Sequence, residues 1–177
     1  MPRHLLLFAV LAFGASVSFA QQPTGDFVEY ISQLTNAHAG LPVRLVKGDA
    51  ATTKATFAPP VEILIEAKTN STNLRMSYAA EAVIFNWERD RNDLRVDHDA
   101  GGGQAKPGAG GIPTNRYVTI RWMVTPTKET IEVDGQPRYE HEGDYSIVNK
   151  PVSVFCANGS EVTVKSIKVR QLPSVTQ

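Results

Sequence analysis

The chain has 177 residues, and 18 Lys and Arg stand against 18 Asp and Glu, so its formal net charge at pH 7 is zero. Without a basic excess or a Lys/Arg run it lacks the electrostatic footprint of a nucleic-acid binder, and nucleic acid is not an expected partner. The length suits one ordinary domain, and an apolar fraction of 42% is enough to build its core.

The N-terminus reads as a secretory signal peptide over residues 1–20. Arg3 and His4 form a short basic start, and residues 5–13 are an apolar stretch too short to span a bilayer as a stable helix. Ser18 and Ala20 stand at the small-residue positions of a cleavage site, which places the cut between Ala20 and Gln21. A retained N-terminal anchor is the alternative. Cleavage would remove one Arg and no acid, leaving a near-neutral mature chain with no membrane-inserting segment, secreted or periplasmic. Cys156 is the single cysteine, so an internal disulfide cannot form and stability must come from packing. His38, His98 and His141 are far apart in sequence and give no zinc-like spacing.

The segment 21–42 is expected to hold one short helix. Phe27, Ile31 and Leu34 recur at helical spacing, Asp26 and Glu29 have the spacing of a capping box, and Gly40 and Pro42 end it. From Val43 the apolar period changes to two, β-branched residues are frequent, and Gly, Pro, Asn and Asp cluster between the runs, so 43–172 reads as an all-β domain with a tail at 173–177. Val61, Ile63 and Ile65 alternate with Glu62 and Glu66, as in a half-buried antiparallel strand. Residues 74–78 and 82–87 form the next predicted pair, and 94–96 joins them.

Residues 100–111 contain six glycines and Pro107, which predicts a long mobile loop rather than a regular element. It is no phosphate cradle, because it lacks a G-K-[ST] ending and opens no helix. In 116–124 Val118, Ile120, Trp122 and Val124 alternate with Tyr117, Thr119, Arg121 and Met123, which puts Trp122 in the core. Ile131 and Val133 lead into Asp134-Gly135, a dipeptide suited to the positive φ angles of a tight hairpin turn, and 138–141 returns. Val152, Val154 and Cys156 alternate next, Asn158-Gly159 turns the chain, and a last strand runs over 161–172. Its apolar parity shifts between Val164 and Ile167, which predicts a bulge near Lys165-Ser166. Many short strands on a chain of this length predict a two-sheet antiparallel sandwich.

Three segments carry a family resemblance: Tyr117-Val118-Thr119-Ile120-Arg121-Trp122, then Ile131-Glu132-Val133-Asp134-Gly135, then the closing run from Ser160 to Leu172 with Ile167, Val169 and Arg170. Over roughly 43–172 the sequence resembles the concanavalin A-like lectin/glucanase jelly roll, and within it the secreted bacterial 3-keto-disaccharide hydrolase-like domains, related to laminin G-like modules. These motifs speak to fold rather than to catalysis. The resemblance implies a jelly-roll sandwich whose partner is carbohydrate, bound or processed outside the cytoplasm.

Retaining glucanases of that superfamily carry E-x-D-x-x-E on one strand, supplying two carboxylates about 5 Å apart. Here the match begins at Glu132 and Asp134 and fails at Pro137. Asp97, Glu132, Glu140, His141 and Glu142 are the remaining acid/base candidates, with His141 flanked by acids. Asp97, His98 and Asp99 offer a metal-like cluster, and Asp97 and Asp99 a calcium-like one, at the edge of the glycine segment, although so few oxygens favour a solvated loop entrance. Core packing and sugar stacking both fit Trp87, whose neighbours Asn86, Glu88 and Arg89 have the composition of a sugar site. Tyr117 and Arg121 share the face opposite Trp122, and with Arg75 and Trp87 they make the predicted ligand groove.

Three functions follow from this reading: a carbohydrate-binding sandwich, a glycoside hydrolase of the 3-keto-disaccharide type, or a cell-envelope protein-interaction module. No cofactor is implied beyond a calcium ion, and the sequence leaves the oligomeric state open.

Overall fold

A computed structural model describes residues 25–35, 41–98, 102–157 and 159–174. The predicted signal peptide and Asp99 lie outside these residues. Among the described residues the chain forms β1 (Val28–Glu29), β2 (Val43–Leu45), β3 (Ala50–Thr52), β4 (Val61–Thr69), β5 (Leu74–Ser77), β6 (Ala82–Phe85) and β7 (Leu94–His98). It continues with β8 (Gly102–Lys106), β9 (Val118–Thr125), β10 (Lys128–Val133), β11 (Gln136–Glu142), β12 (Ser153–Phe155) and β13 (Val162–Gln171). The first sheet runs β1-β13-β4-β9-β10-β11, with β2 also on β13, and the second runs β3-β12-β5-β6-β7-β8. Every pairing within them is antiparallel.

Alternation along each strand buries one face of each sheet against the other. Val61, Ile63 and Ile65 of β4, with Ile120, Trp122 and Val124 of β9, meet Met76 of β5, Phe85 of β6 and Val154 of β12 in one core. Trp122 is fully buried and stands edge-on to Tyr78 from the other sheet, ring centroids 6.0 Å apart. Cys156 is buried in the same core. The hairpin turn has the expected left-handed residues, Asp134 at φ 50° and Gly135 at φ 75°, and the Asp134 carboxylate accepts the Thr119 N–H at 2.9 Å.

Among the described residues the predicted N-terminal helix does not form. Val28 and Glu29 instead pair with Val169 and Lys168 at the edge of β13. The cause is the bulge, which falls between Val164 and Ser166 as the parity shift predicts. A bulge leaves a ladder N–H without its regular partner. Glu29 supplies one: its Oε1 accepts the N–H groups of Ile31 and Ile167, each at 3.0 Å, and its Oε2 accepts the Ser166 hydroxyl. A side chain that reads as a helix cap thus satisfies a tertiary defect.

The glycine segment also departs from expectation, since residues 102–106 form β8 against β7. Glycine serves close approach here. A Cβ on Gly110 would lie 2.0 Å from the Asp93 carbonyl oxygen, and one on Gly103 would lie 1.7 Å from the Arg95 guanidinium.

Candidate functional site

Two polar constellations lie on or between the sheets. The outer face of the second sheet carries a row formed by Phe155, Arg75, Ile84, Arg95 and Ala105, one residue from each of five adjacent strands. Trp87, just past β6, is half-buried and sits beside this row, with the Arg95 and Arg89 guanidinium groups 5.4 and 5.7 Å from its ring centroid. Arg75 donates to Asn73 Oδ1 at 2.9 Å and pairs with Glu88 at 3.3 Å, while Arg95 Nε donates to Asp97 Oδ1 at 2.6 Å. Toward β12 the same face opens into a shallow depression of about 320 Å³ bordered by Ser77, Glu81, Lys150 and Ser153.

Asn86 does not belong to this surface. Its carboxamide is buried, donating to the carbonyls of Ser71 (3.1 Å) and Ile112 (3.0 Å) and accepting the Ile112 N–H (2.9 Å). It pins the strand that precedes Trp87 to the segment following β8.

Tyr117 and Arg121 lie on the opposite side of the molecule, the outer face of the first sheet. Lys68 and Lys165 flank the Tyr117 ring at 5.0 and 5.7 Å. Arg121 is held by Glu62 at 2.6 Å and Glu132 at 3.3 Å, and Glu62, itself buried, is shared with Arg170 at 2.5 Å. The hydrogen bond that Arg121 donates to Glu62 raises the Arg121 pKa further. The four-residue groove is therefore corrected: Arg75 and Trp87 share one face, and Tyr117 and Arg121 share another. Strand parity tells inside from outside but not which sheet a strand joins.

The second constellation is internal. His98, at the end of β7, turns inward from the second sheet, and Glu129 of β10 with Tyr139 and His141 of β11 turn inward from the first. Glu129 is 0% exposed, and Trp122 Nε1 donates to its Oε2 at 2.9 Å. Its Oε1 accepts no hydrogen bond among the described residues, and His98 Nε2 lies 3.5 Å from it. The His98 and His141 rings stack with centroids 4.8 Å apart. Tyr145 Oη lies 2.7 Å from His141 Nδ1, and Tyr139 Oη 3.3 Å from His98 Nε2.

Burial pushes the Glu129 carboxyl up, opposed by the Trp122 N–H, His98, the Tyr145 hydroxyl and His141. Burial and the Glu129 charge raise the Tyr139 phenol to about 12, and burial, the Glu129 charge and the Tyr145 hydroxyl's own interaction with that carboxylate raise Tyr145. One ligand atom from each of His98, Glu129 and His141 can be chosen within 4.8 Å of the others, so this set can hold a proton or a cation between the sheets.

The other sequence candidates disperse. Asp97 points out of the second sheet, away from its neighbour His98, because consecutive strand residues face opposite sides. Glu132 faces out of the first sheet against Arg121, and exposed Glu140 pairs with Lys128 at 2.9 Å. Glu142 is exposed at the end of β11. Asp134 is committed to the hairpin turn, so no glucanase-type carboxylate pair stands on β10. Sequence reasoning passed over Glu129, although its parity with Ile131 and Val133 places an acid on the buried face of β10.

This architecture is a concanavalin A-like jelly roll. Among solved structures, a galectin of Caenorhabditis elegans is 14% identical and superposes with TM-score 0.52 over 76% of this chain and 94% of that one. A β-glucanase of Bacillus licheniformis is 10% identical, with TM-score 0.58 over 85% of this chain and 100% of that one. An endo-β-1,3-glucanase of Pyrococcus furiosus is 14% identical, with TM-score 0.51 over 71% of this chain and 66% of that one. No family model and no curated protein matches the sequence.

Proposed function

We propose that this chain is an exported β-sandwich that binds carbohydrate on the outer face of its second sheet. The observation that carries the reading is the half-buried Trp87 plate framed by Arg75, Glu88, Arg89, Arg95 and Asp97. An indole face stacks on the C–H surface of a sugar ring, and guanidinium and carboxylate groups around it meet the hydroxyls. The galectin and glucanases that share the fold lend support to a glycan as the partner. Export is inferred from the basic start, apolar stretch and Ser18/Ala20 cleavage pattern, and mass spectrometry of exported protein is expected to find Gln21 as the first residue. Affinity-gel and glycan-array screening tests the binding. Retention by at least one polysaccharide, weakened about tenfold or more by Trp87→Ala, is the expected result, and no retention on any glycan contradicts it.

A second reading, glycoside processing of the 3-keto-disaccharide type, draws on the buried Glu129 beside two imidazoles. Turnover of 3-keto-glucosides that disappears in Glu129→Gln would favour it over binding alone, and inactivity of the unmodified protein would remove it.

A further inference from the structure

We propose that His98, Glu129 and His141 form a binding site for a divalent transition-metal ion of the zinc class, clamped between the two sheets. The ligands come from β7, β10 and β11, so the site exists only when the sandwich is closed. Their donor atoms lie within 4.8 Å of one another. Ligands on one tetrahedral ion with bonds of roughly 2.0–2.2 Å stand about 3.4 Å apart, so the stacked imidazoles must turn out of their stack to close on one ion. The 3.5 Å from His98 Nε2 to Glu129 Oε1 is already at this value.

The carboxylate supplies the second, independent observation. Glu129 is 0% exposed, its Oε2 is fixed by the Trp122 indole, and its Oε1 is directed at the imidazoles without accepting a hydrogen bond among the described residues. A buried carboxylate oxygen without a well-aligned hydrogen bond is rare in a folded protein, and a cation is one partner that satisfies it. The surrounding contacts are those that support metal ligands. Trp122 orients the carboxylate, and Tyr145 at 2.7 Å from His141 Nδ1 sets that ring so that its Nε2 remains to bind.

Two imidazole nitrogens and one carboxylate oxygen suit zinc, cobalt, nickel or iron rather than calcium or magnesium, which take mainly oxygen. Three protein ligands leave a position open for water or a substrate atom, as in catalytic rather than structural zinc sites. The His98 side chain, 20% exposed, gives that position a route to solvent. The inference does not depend on the glycan reading, because it uses none of the residues around Trp87.

The test uses the full chain without an affinity tag, stripped with chelator and then titrated with Zn²⁺ by calorimetry and with Co²⁺ by visible absorption. The expected result is one ion per chain, with a low-symmetry Co²⁺ spectrum and a raised melting temperature in Zn²⁺. His98→Ala and His141→Ala each weaken uptake about 10- to 100-fold, in line with the loss of a ligand or its support. Glu129→Gln, which keeps the acceptor for Trp122, does the same while native tryptophan emission confirms folding. Uptake of no ion, or weak uptake indifferent to these three variants, overturns the proposal.

Discussion

Asn86→Ala offers a sharp test of how the Trp87 face is supported. The side chain makes three hydrogen bonds, one part-buried to Ser71 O and two buried, to Ile112 O and from Ile112 N, at 2.9 to 3.1 Å. At about 1 kcal/mol each, their loss amounts to roughly 3 kcal/mol, including a buried Ile112 N–H left without its acceptor. Asn86 also sits at φ 48°, a left-handed conformation that Asn tolerates better than Ala, adding about 1 kcal/mol. The expected loss is therefore about 4 kcal/mol, a large share of the roughly 5–15 kcal/mol that holds an ordinary domain together. Asn86→Gly removes the same bonds but relieves the backbone, and should be about 1 kcal/mol less severe. Urea unfolding followed by tryptophan emission measures both, and with a slope of about 2 kcal/mol/M the Ala variant should unfold near 2 M less urea. A loss below about 1 kcal/mol, or a Gly variant no better than Ala, would refute the reasoning.

Two further predictions concern glycine and cysteine. Gly110→Ala forces a Cβ to 2.0 Å from backbone at Asp93, whereas Gly135→Ala meets open space and strains only a φ of 75°. The first should therefore lose folded yield or more than about 3 kcal/mol and the second about 1 kcal/mol, and equal melting temperatures would contradict this. Burial raises the Cys156 thiol above its ordinary 9.0, so at pH 8 it should react with a disulfide reagent far more slowly in the native protein than in urea. Because the folded value is the higher one, the stabilisation from the neutral thiol is complete well below pH 9 and fades as pH rises through the folded value. Equal rates in native and unfolded protein would place Cys156 at the surface.

The fold was legible wherever burial on one face imposes a period of two. Trp122, the Asp134-Gly135 turn and the parity shift at the β13 bulge all lie in such segments. The N-terminal segment misled because Phe27, Ile31 and Leu34 have helical spacing for a different reason. Phe27 covers the Arg170 guanidinium at 4.3 Å, while Ile31 and Leu34 drop into the core from irregular backbone after β1. Glycine misled because it signals flexibility and close packing alike, and only the neighbours of Gly103 and Gly110 distinguish the two. The internal cluster needed two sheets to be seen at all. His98 and His141 are separated by 43 positions in the chain yet stack at 4.8 Å, so sequence spacing carried no sign of them.

The central claim, that the Trp87 face is where glycan binds, is tested most directly by acrylamide quenching of tryptophan emission with and without a retained polysaccharide. Trp122 is fully buried and Trp87 is half-exposed, so Trp87 dominates the quenching. The account predicts that saturating glycan protects this emission and that Trp87→Ala removes most of the quenchable signal and weakens retention about tenfold or more. Glycan retained at full strength by Trp87→Ala, with quenching of the unmodified protein unchanged, would contradict it.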